Sequence, residues 1–195
     1  EPYQIKQKFP DIYVAVDKKR TRGIDRLTSD GLTKDVDVIL LDDAYQHRYV
    51  KPGVSILLID YHRLIIYDKL LPAGCLREPQ EGKSRADIVI ITKCPKDLRP
   101  MEYRVLMKAL DLYPYQSLYF TTLAYDNLKQ VFGTSSIALN SLPKSCNVLL
   151  LTGIASPKQM QHDLEVYNYN LHLLAFPDHH NFSKKDVREI NSKFA

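Results

Sequence analysis

Short apolar runs, several of them apolar on both faces, recur along the sequence and are separated by segments with helical periodicity. Strands of this kind are covered by helices on both sides, which is typical of parallel sheets in α/β proteins. The pattern therefore predicts an α/β fold with a mainly parallel sheet. The runs predicted as strands are residues 12–16, 36–41, 54–59, 88–92, 117–122, 147–152 and 171–176.

Helices are predicted near residues 3–9, 98–112 and 156–168. The last of these has the clearest start, with Ser156 as N-cap and Pro157 at the first helical position. A further helix is expected after Ser183, since Asp186 stands three residues later in the spacing of a capping box.

Residues 117–131 alternate in polarity, as a two-stranded ribbon would, and the stretch 133–145 is polar and rich in turn residues. We therefore predict a core domain over residues 1–120, a two-stranded hinge over 117–131 and a small C-terminal α/β lobe over 145–195.

Composition excludes several classes of protein. The longest apolar runs are far shorter than the roughly 20 residues of a membrane-spanning helix. The three cysteines form no C-x-x-C pair, which argues against a disulfide framework or a zinc site and favours a reducing compartment. The net charge of +4 suits an anionic partner such as a phosphate, but it is too small to indicate a nucleic-acid-binding protein.

The segment "ILLDDAYQHR", residues 39–48, runs from an apolar stretch directly into Asp42 and Asp43. Carboxylates at the carboxyl edge of a parallel sheet lie where such sheets bind ligands. In nucleoside triphosphatases with a phosphate-binding loop, the Walker B strand carries an aspartate that holds Mg²⁺. The dipeptide alone equally fits a turn, because aspartate side chains accept hydrogen bonds from nearby backbone amides.

Four further motifs accompany "DDAYQHR": "LLPAGCLREP", "RAD", "GIASP" and "FPDHH". Their identity and order resemble those of the tetraacyldisaccharide 4'-kinase (lipid A 4'-kinase) family, and the resemblance extends over nearly the full chain. It implies an incomplete P-loop kinase core that uses ATP and Mg²⁺. The implied reaction phosphorylates the 4'-hydroxyl of a tetraacylated glucosamine disaccharide phosphate lipid at the cytoplasmic face of the bacterial inner membrane.

The family carries Gly-Asp-Glu-Pro, and this sequence begins with Glu1-Pro2. The resemblance therefore implies that the aspartate thought to act as general base lies just before Glu1. The sequence also contains no G-x-x-x-x-G-K-[ST] motif, since Gly82-Lys83-Ser84 has no glycine at the required distance before it. The 195-residue chain alone is accordingly expected to be inactive, with the membrane contact belonging to the full-length protein.

Phosphoryl transfer requires magnesium at the phosphates and cations that stabilise the charge of the transition state. Asp42 and Glu78 are the candidate magnesium carboxylates, because Mg²⁺ prefers hard oxygen ligands. Asp43 is expected to orient a water or a basic side chain. Arg77, with its planar fork of donors, suits a phosphate oxygen.

Three other side chains complete the predicted site. Gln46 is expected to position a phosphate or water, and Arg20 to add a second cation near ATP. His179 is expected to hydrogen-bond the general base and tune its basicity. His47 and His180 are expected to be structural or solvent-facing rather than catalytic.

Two other functions fit parts of the sequence. Asp178-His179-His180 also matches the signature of manganese-dependent phosphoesterases, and "DVD" at residues 35–37 would supply further ligands. That family carries more Asp and His motifs after the signature, whereas only a short helix follows here. A non-catalytic binding module is the other alternative.

Overall fold

The computed structural model describes residues 2–154, 156–167, 169–178 and 180–194. The chain forms two compact units, Glu1–Leu123 and Ala124–Ala195. Each unit contains its own parallel strand pairing, as the α/β prediction requires. The division falls inside the predicted hinge 117–131, whose mechanical role stays a prediction.

The first unit is built on a three-stranded parallel sheet in the order β1-β2-β3. Its strands are β1 (Ile56–Asp60), β2 (Ile88–Thr92) and β3 (Ser117–Phe120). Ile56 pairs with Ile88, and Ile88 pairs with Ser117, so the three strands begin together. The sheet confirms the predicted strands at 54–59, 88–92 and 117–122.

Three helices accompany this sheet: α1 (Pro2–Lys8), α2 (Arg20–Ser29) and α3 (Pro100–Leu110). The predictions near 3–9 and 98–112 are confirmed. At the start of α3 the Glu102 carboxylate accepts a 2.7 Å hydrogen bond from the Arg99 amide. Helix α2 was not predicted, because "RTRGIDRLTS" has only two apolar residues and a glycine and so lacks a clear apolar stripe.

The core of the first unit lies on one face of the sheet. Val89 and Ile91 of β2 are fully buried, as are Ala86 and Leu110. Ile59, Leu64, Cys94, Leu98 and Leu106 complete this buried cluster. The opposite face is open, because Ile56 and Leu58 of β1 are 50% and 63% exposed.

The predicted strands at 12–16 and 36–41 are wrong for this structure, since both segments lie outside regular secondary structure. Val38 and Leu40 are 67% and 90% exposed. A strand exists only where a neighbour accepts its backbone hydrogen bonds, and among the described strands β1 pairs with β2 alone. Asp42 and Asp43 therefore follow an irregular segment rather than a sheet strand.

The second unit contains an antiparallel ribbon, β4 (Leu128–Lys129) with β5 (Ser136–Ile137), and a parallel pair, β6 (Asn147–Thr152) with β7 (Asn170–Ala175). Only β4 of this ribbon lies within the predicted 117–131, because β5 comes after it and the first residues of that range belong to β3. Helix α4 (Lys158–Glu165) has Pro157 as its N-cap, so the predicted cap at Ser156 is wrong by one residue. Helix α5 (Lys184–Phe194) begins after Ser183.

Candidate functional site

Two loops that carry sequence motifs contact each other in the first unit. One is residues 42–48, "DDAYQHR", and the other is residues 77–87, which contain "REP" and "RAD". A 3₁₀ turn at Gln80–Arg85 leads from the second loop into β2. Side-chain hydrogen bonds join residues 30 to 40 positions apart in the chain. We call these segments the DD loop and the REP loop.

Asp43 and Arg77 form the outer contact between the loops. Nη1 of Arg77 lies 3.1 and 3.2 Å from the two carboxylate oxygens of Asp43. Asp43 has a φ of +44°, a left-handed conformation that aspartate tolerates better than most side chains. Both side chains are exposed, so their attraction adds little to stability. They remain accessible to an anionic or hydroxylated ligand.

Glu78 is the inner contact. Arg85 Nη2 donates to both of its carboxylate oxygens at 2.7 and 2.8 Å, and Arg48 Nη2 donates to Oε2 at 3.2 Å. Burial raises the pKa of Glu78, but the hydrogen bonds from Arg85 and Arg48 more than offset it and leave that pKa below its usual value. Glu78 is therefore an ionised carboxylate with compensated charge.

Tyr45 joins the loops a second time. Its hydroxyl donates to the Gly82 carbonyl at 2.8 Å, and its own carbonyl accepts from Arg85 Nη2 at 3.2 Å. The Arg85 guanidinium also lies over the tyrosine ring, 4.6 Å from its centroid. Burial raises the pKa of Tyr45, so the phenol stays a neutral donor.

The "RAD" motif has a separate structural explanation for each residue. Arg85 makes the contacts described above, and Ala86 is fully buried in the core. Asp87 accepts a 2.7 Å hydrogen bond from the Ser55 amide, just before β1 begins. The motif thus connects the REP loop to the sheet.

Arg20 belongs to a different cluster at the start of α2. Its Nη1 donates to the Asp17 carbonyl at 2.6 Å. The Asp17 carboxylate accepts from Arg22 at 2.7 and 2.8 Å, and this contact together with the Lys19 amide lowers the pKa of Asp17 to about 2. The structure does not place Arg20 in hydrogen-bond contact with the described residues of the DD or REP loops.

In the second unit, His180 has a structural environment. Its Nε2 lies 3.1 Å from Asp186 Oδ2, and its ring stacks on Phe176 with the centroids 4.9 Å apart. Phe182 contacts the same ring edge-on. These contacts support the structural role expected for His180. His179, the predicted partner of the general base, lies outside the described residues.

The model of the family described as "Tetraacyldisaccharide-1-P 4'-kinase" matches residues 1–195. A protein named tetraacyldisaccharide 4'-kinase from Phocaeicola vulgatus is 55% identical over 195 residues, which is 100% of this chain and 53% of that protein. The chain belongs to the tetraacyldisaccharide 4'-kinase family. Proteins of the same name from Bacteroides fragilis and Flavobacterium johnsoniae are 53% and 45% identical over 100% and 99% of this chain.

The chain spans about half the length of these curated relatives, covering 53%, 52% and 55% of the three in the order named. No solved structure matches it. The family membership therefore comes from sequence comparison, and the geometry of the DD and REP loops from the structure of this chain.

The predicted magnesium carboxylates of this family member have different surroundings. Asp42 is exposed at the start of the DD loop, next to Asp43 in the chain and four residues before Gln46, which is also exposed. Its oxygens are the hard donors that Mg²⁺ prefers. Glu78 already accepts from two guanidinium groups, so it fits a metal ligand less well than Asp42. Within the described residues, no group of three or more His, Cys, Asp or Glu side chains is arranged to hold a metal ion.

Sequence reasoning did not single out Arg48, Arg85 or Gly82. All three lie within or beside the motifs that carry the family resemblance, which was the available signal. A Cβ added to Gly82 would lie 2.8 Å from Cδ of Glu78, so a side chain there would collide with the carboxylate. Only the tertiary structure shows that these residues surround one glutamate.

Proposed function

We propose that the intact polypeptide, meaning residues 1–195 with whatever sequence accompanies them in the cell, is an ATP-dependent lipid kinase. It transfers the γ-phosphoryl group of ATP to the 4'-hydroxyl of a tetraacylated glucosamine disaccharide 1-phosphate, a step of lipid A and hence lipopolysaccharide biosynthesis. The observation that carries this proposal is the family match over residues 1–195. The contact between the DD and REP loops supports it, because it brings the two charged motifs together.

The exposed pair Asp43–Arg77 is the proposed phosphate-facing part of the site. Arg77 presents a planar fork of donors, which suits the oxygens of a phosphoryl group. Asp43 holds that fork in place through its two oxygens. Gln46 lies on the same loop and is proposed to orient a phosphate or a water. Arg20 is proposed as a second cation that contacts ATP when the nucleotide binds.

Asp42 is the residue proposed to hold Mg²⁺. When bound, the ion would neutralise charge on the β- and γ-phosphates during transfer. Glu78, predicted as a second magnesium carboxylate, is proposed to act from beside the metal site, since its charge is compensated by Arg85 and Arg48.

His179 is proposed to orient the carboxylate that takes the proton of the acceptor hydroxyl. That carboxylate is the aspartate of the family's Gly-Asp-Glu-Pro motif, as the resemblance implies. By hydrogen-bonding this carboxylate, the histidine holds it in one orientation and tunes its basicity.

The lipid substrate places the proposed reaction at the cytoplasmic face of the inner membrane. Within the described parts of the chain, no helix has both the length and the apolar character needed to cross a bilayer. We propose the membrane contact for the intact polypeptide.

The deciding experiment measures phosphoryl transfer from ATP to the disaccharide lipid by the intact polypeptide and its Asp42→Asn variant. We expect kcat to fall by roughly 10²-fold or more, because the metal's charge stabilisation is worth several kcal/mol in the transition state. Lipid binding should change much less.

Asp37→Asn is the matched control, an exposed aspartate five positions earlier. It should leave turnover unchanged if the protein is a kinase. The manganese-dependent phosphoesterase alternative predicts loss of phosphodiester hydrolysis from Asp37→Asn instead. A non-catalytic binding module predicts lipid binding without turnover, and either result would replace the kinase proposal.

A further inference from the structure

Arg85 is the side chain that contacts both motif loops at once. It donates to the two oxygens of Glu78 in the REP loop and to the carbonyl of Tyr45 in the DD loop. We propose that Arg85 is a positioning residue that sets the placement of the DD loop against the REP loop. The catalytic part of this inference rests on the proposed kinase function, whereas the loop placement does not.

The DD loop has no regular secondary structure to hold it. Residues 36–50 contain no helix or strand, so no ladder of backbone hydrogen bonds fixes their position. Asp43 also adopts a left-handed backbone conformation, which persists only where the surroundings hold it. The tie from Arg85 to the Tyr45 carbonyl comes two residues after Asp43 and therefore acts close to this strained position.

The contact uses features that only arginine combines. One guanidinium nitrogen reaches two carboxylate oxygens and a carbonyl, while the flat face of the group covers the Tyr45 ring. A lysine ammonium is a point charge on a flexible stem and offers no planar face. Arg85→Lys therefore keeps the positive charge but removes the planar group that covers the Tyr45 ring and donates to both loops.

Because Arg85 holds Glu78, it also affects the position of the outer pair Asp43–Arg77. Arg77 is the chain neighbour of Glu78, so a fixed Glu78 limits where the Arg77 fork can point. Arg77 in turn contacts Asp43. Arg85 is only partly exposed and Glu78 is more buried, with 34% and 15% of their side chains accessible. The less exposed contact between Arg85 and Glu78 therefore supports the exposed pair Asp43–Arg77.

The test uses the intact polypeptide with Arg85→Lys, Arg85→Gln, Glu78→Gln and the Arg85→Gln/Glu78→Gln double variant. Arg104→Gln, an exposed arginine on α3, is the control. Three quantities are measured: amide hydrogen exchange in residues 42–48, kcat, and KM for ATP. Arg85→Lys guards against the possibility that Arg85→Gln does not fold.

We expect both Arg85 variants to exchange the amides of residues 42–48 faster than wild type does. Arg104→Gln should exchange them at the wild-type rate. Since small misplacements of catalytic groups cost up to about 10²-fold, kcat should fall by about 10-fold or more while KM for ATP changes little. If Arg85 acts through Glu78, the double variant should lose no more activity than the worse single variant.

Unchanged exchange in Arg85→Lys, wild-type kcat in that variant, or losses that multiply in the double variant would each overturn the inference. If wild type proves not to be a kinase, the proposed function fails, and the exchange measurement alone then decides the loop placement.

Discussion

Carboxylates of similar chemistry acquire different roles from their neighbours. Asp42 is exposed and available to a cation, whereas Glu78 is half-buried between Arg85 and Arg48. Hydrogen-bond donors lower the pKa of Asp17 and that of Asp186 to about 2. Asp17 nevertheless belongs to an arginine cluster, whereas Asp186 belongs to a helix cap. Side-chain type alone therefore does not assign a role in this chain.

Gly82→Ala should damage the inner contact. The added Cβ would lie 2.8 Å from Glu78 Cδ, and two arginines hold that carboxylate in place. We expect a loss of about 1–3 kcal/mol in unfolding free energy, as for overpacking elsewhere, together with lower kinase turnover. Gly53→Ala is the control, because no atom lies within 4 Å of the Cβ position there. Equal stability of the two variants in urea unfolding would contradict the crowding argument.

His179→Ala and His180→Ala should differ. In the intact polypeptide, loss of His179 should reduce kcat by about 10²-fold or more, the scale of a lost acid–base partner. His180→Ala should chiefly lower thermal stability, since its ring packs on Phe176 and Phe182. Turnover, melting temperature and bound manganese are measured for both. Equal loss of activity from both variants, with loss of manganese, would favour the phosphoesterase function instead.

Among the elements, α5 shows the most direct link from sequence to structure. The Ser183 hydroxyl lies 3.3 Å from the Asp186 amide nitrogen, and the Asp186 carboxylate accepts from the Ser183 amide at 2.7 Å. The predicted capping box is thus confirmed. His180 contacts the same carboxylate, so the cap also ties the preceding segment to the helix.

The cap of α5 should be sensitive to acid. Hydrogen bonds from the Ser183 amide and hydroxyl, and then from His180, lower the pKa of Asp186 to about 2, from an ordinary value of 3.8. The stabilisation by Asp186 is therefore complete above pH 4 and lost as the pH falls through about 2. Urea unfolding of wild type and Asp186→Asn at each pH should show a difference above pH 5 that disappears near pH 2. Glu189→Gln, on the exposed side of α5, serves as the control, and a difference that persists at pH 2 would contradict the assignment.

For the chain as a whole, the notable feature is the open face of the first unit's sheet. Parallel sheets are normally covered on both faces, but here the cluster with Leu106 and Leu110 covers only one. Ile56, Leu58 and Tyr119 are about half exposed or more on the other. The apolar segment at 36–41 is exposed as well.

Residues 1–195 on their own should bind an apolar dye and self-associate through this open face, because large exposed apolar patches drive association. Leu58→Lys should reduce both effects. Val131→Lys, at an apolar position of the second unit that is 88% exposed against 63% for Leu58, should reduce them less. Light scattering and dye fluorescence provide the measurement. Wild type that stays monomeric and binds no dye would show that the face is less accessible than the structure indicates.

Strands that are strongly apolar over five or six residues were predictable from local pattern. Residues 88–92 and 147–152 coincide with β2 and β6 residue for residue. Helix α3 was likewise predictable from its apolar stripe, with Leu106 and Leu110 on the buried side. Pattern and burial agree in these elements because the same side chains that repeat along the sequence form the core.

Segments 12–16 and 36–41 carry the same kind of pattern but form no strand, because strand formation depends on a hydrogen-bonding neighbour that local sequence does not reveal. Local pattern equally misses contacts between distant residues. The motifs themselves identified the DD and REP loops, but only the tertiary structure showed that Arg85, 40 residues from Tyr45, stacks on its ring and holds Glu78. Short apolar runs thus defined the strands of the two parallel sheets, whereas the folding of the loops decided which charged side chains contact each other.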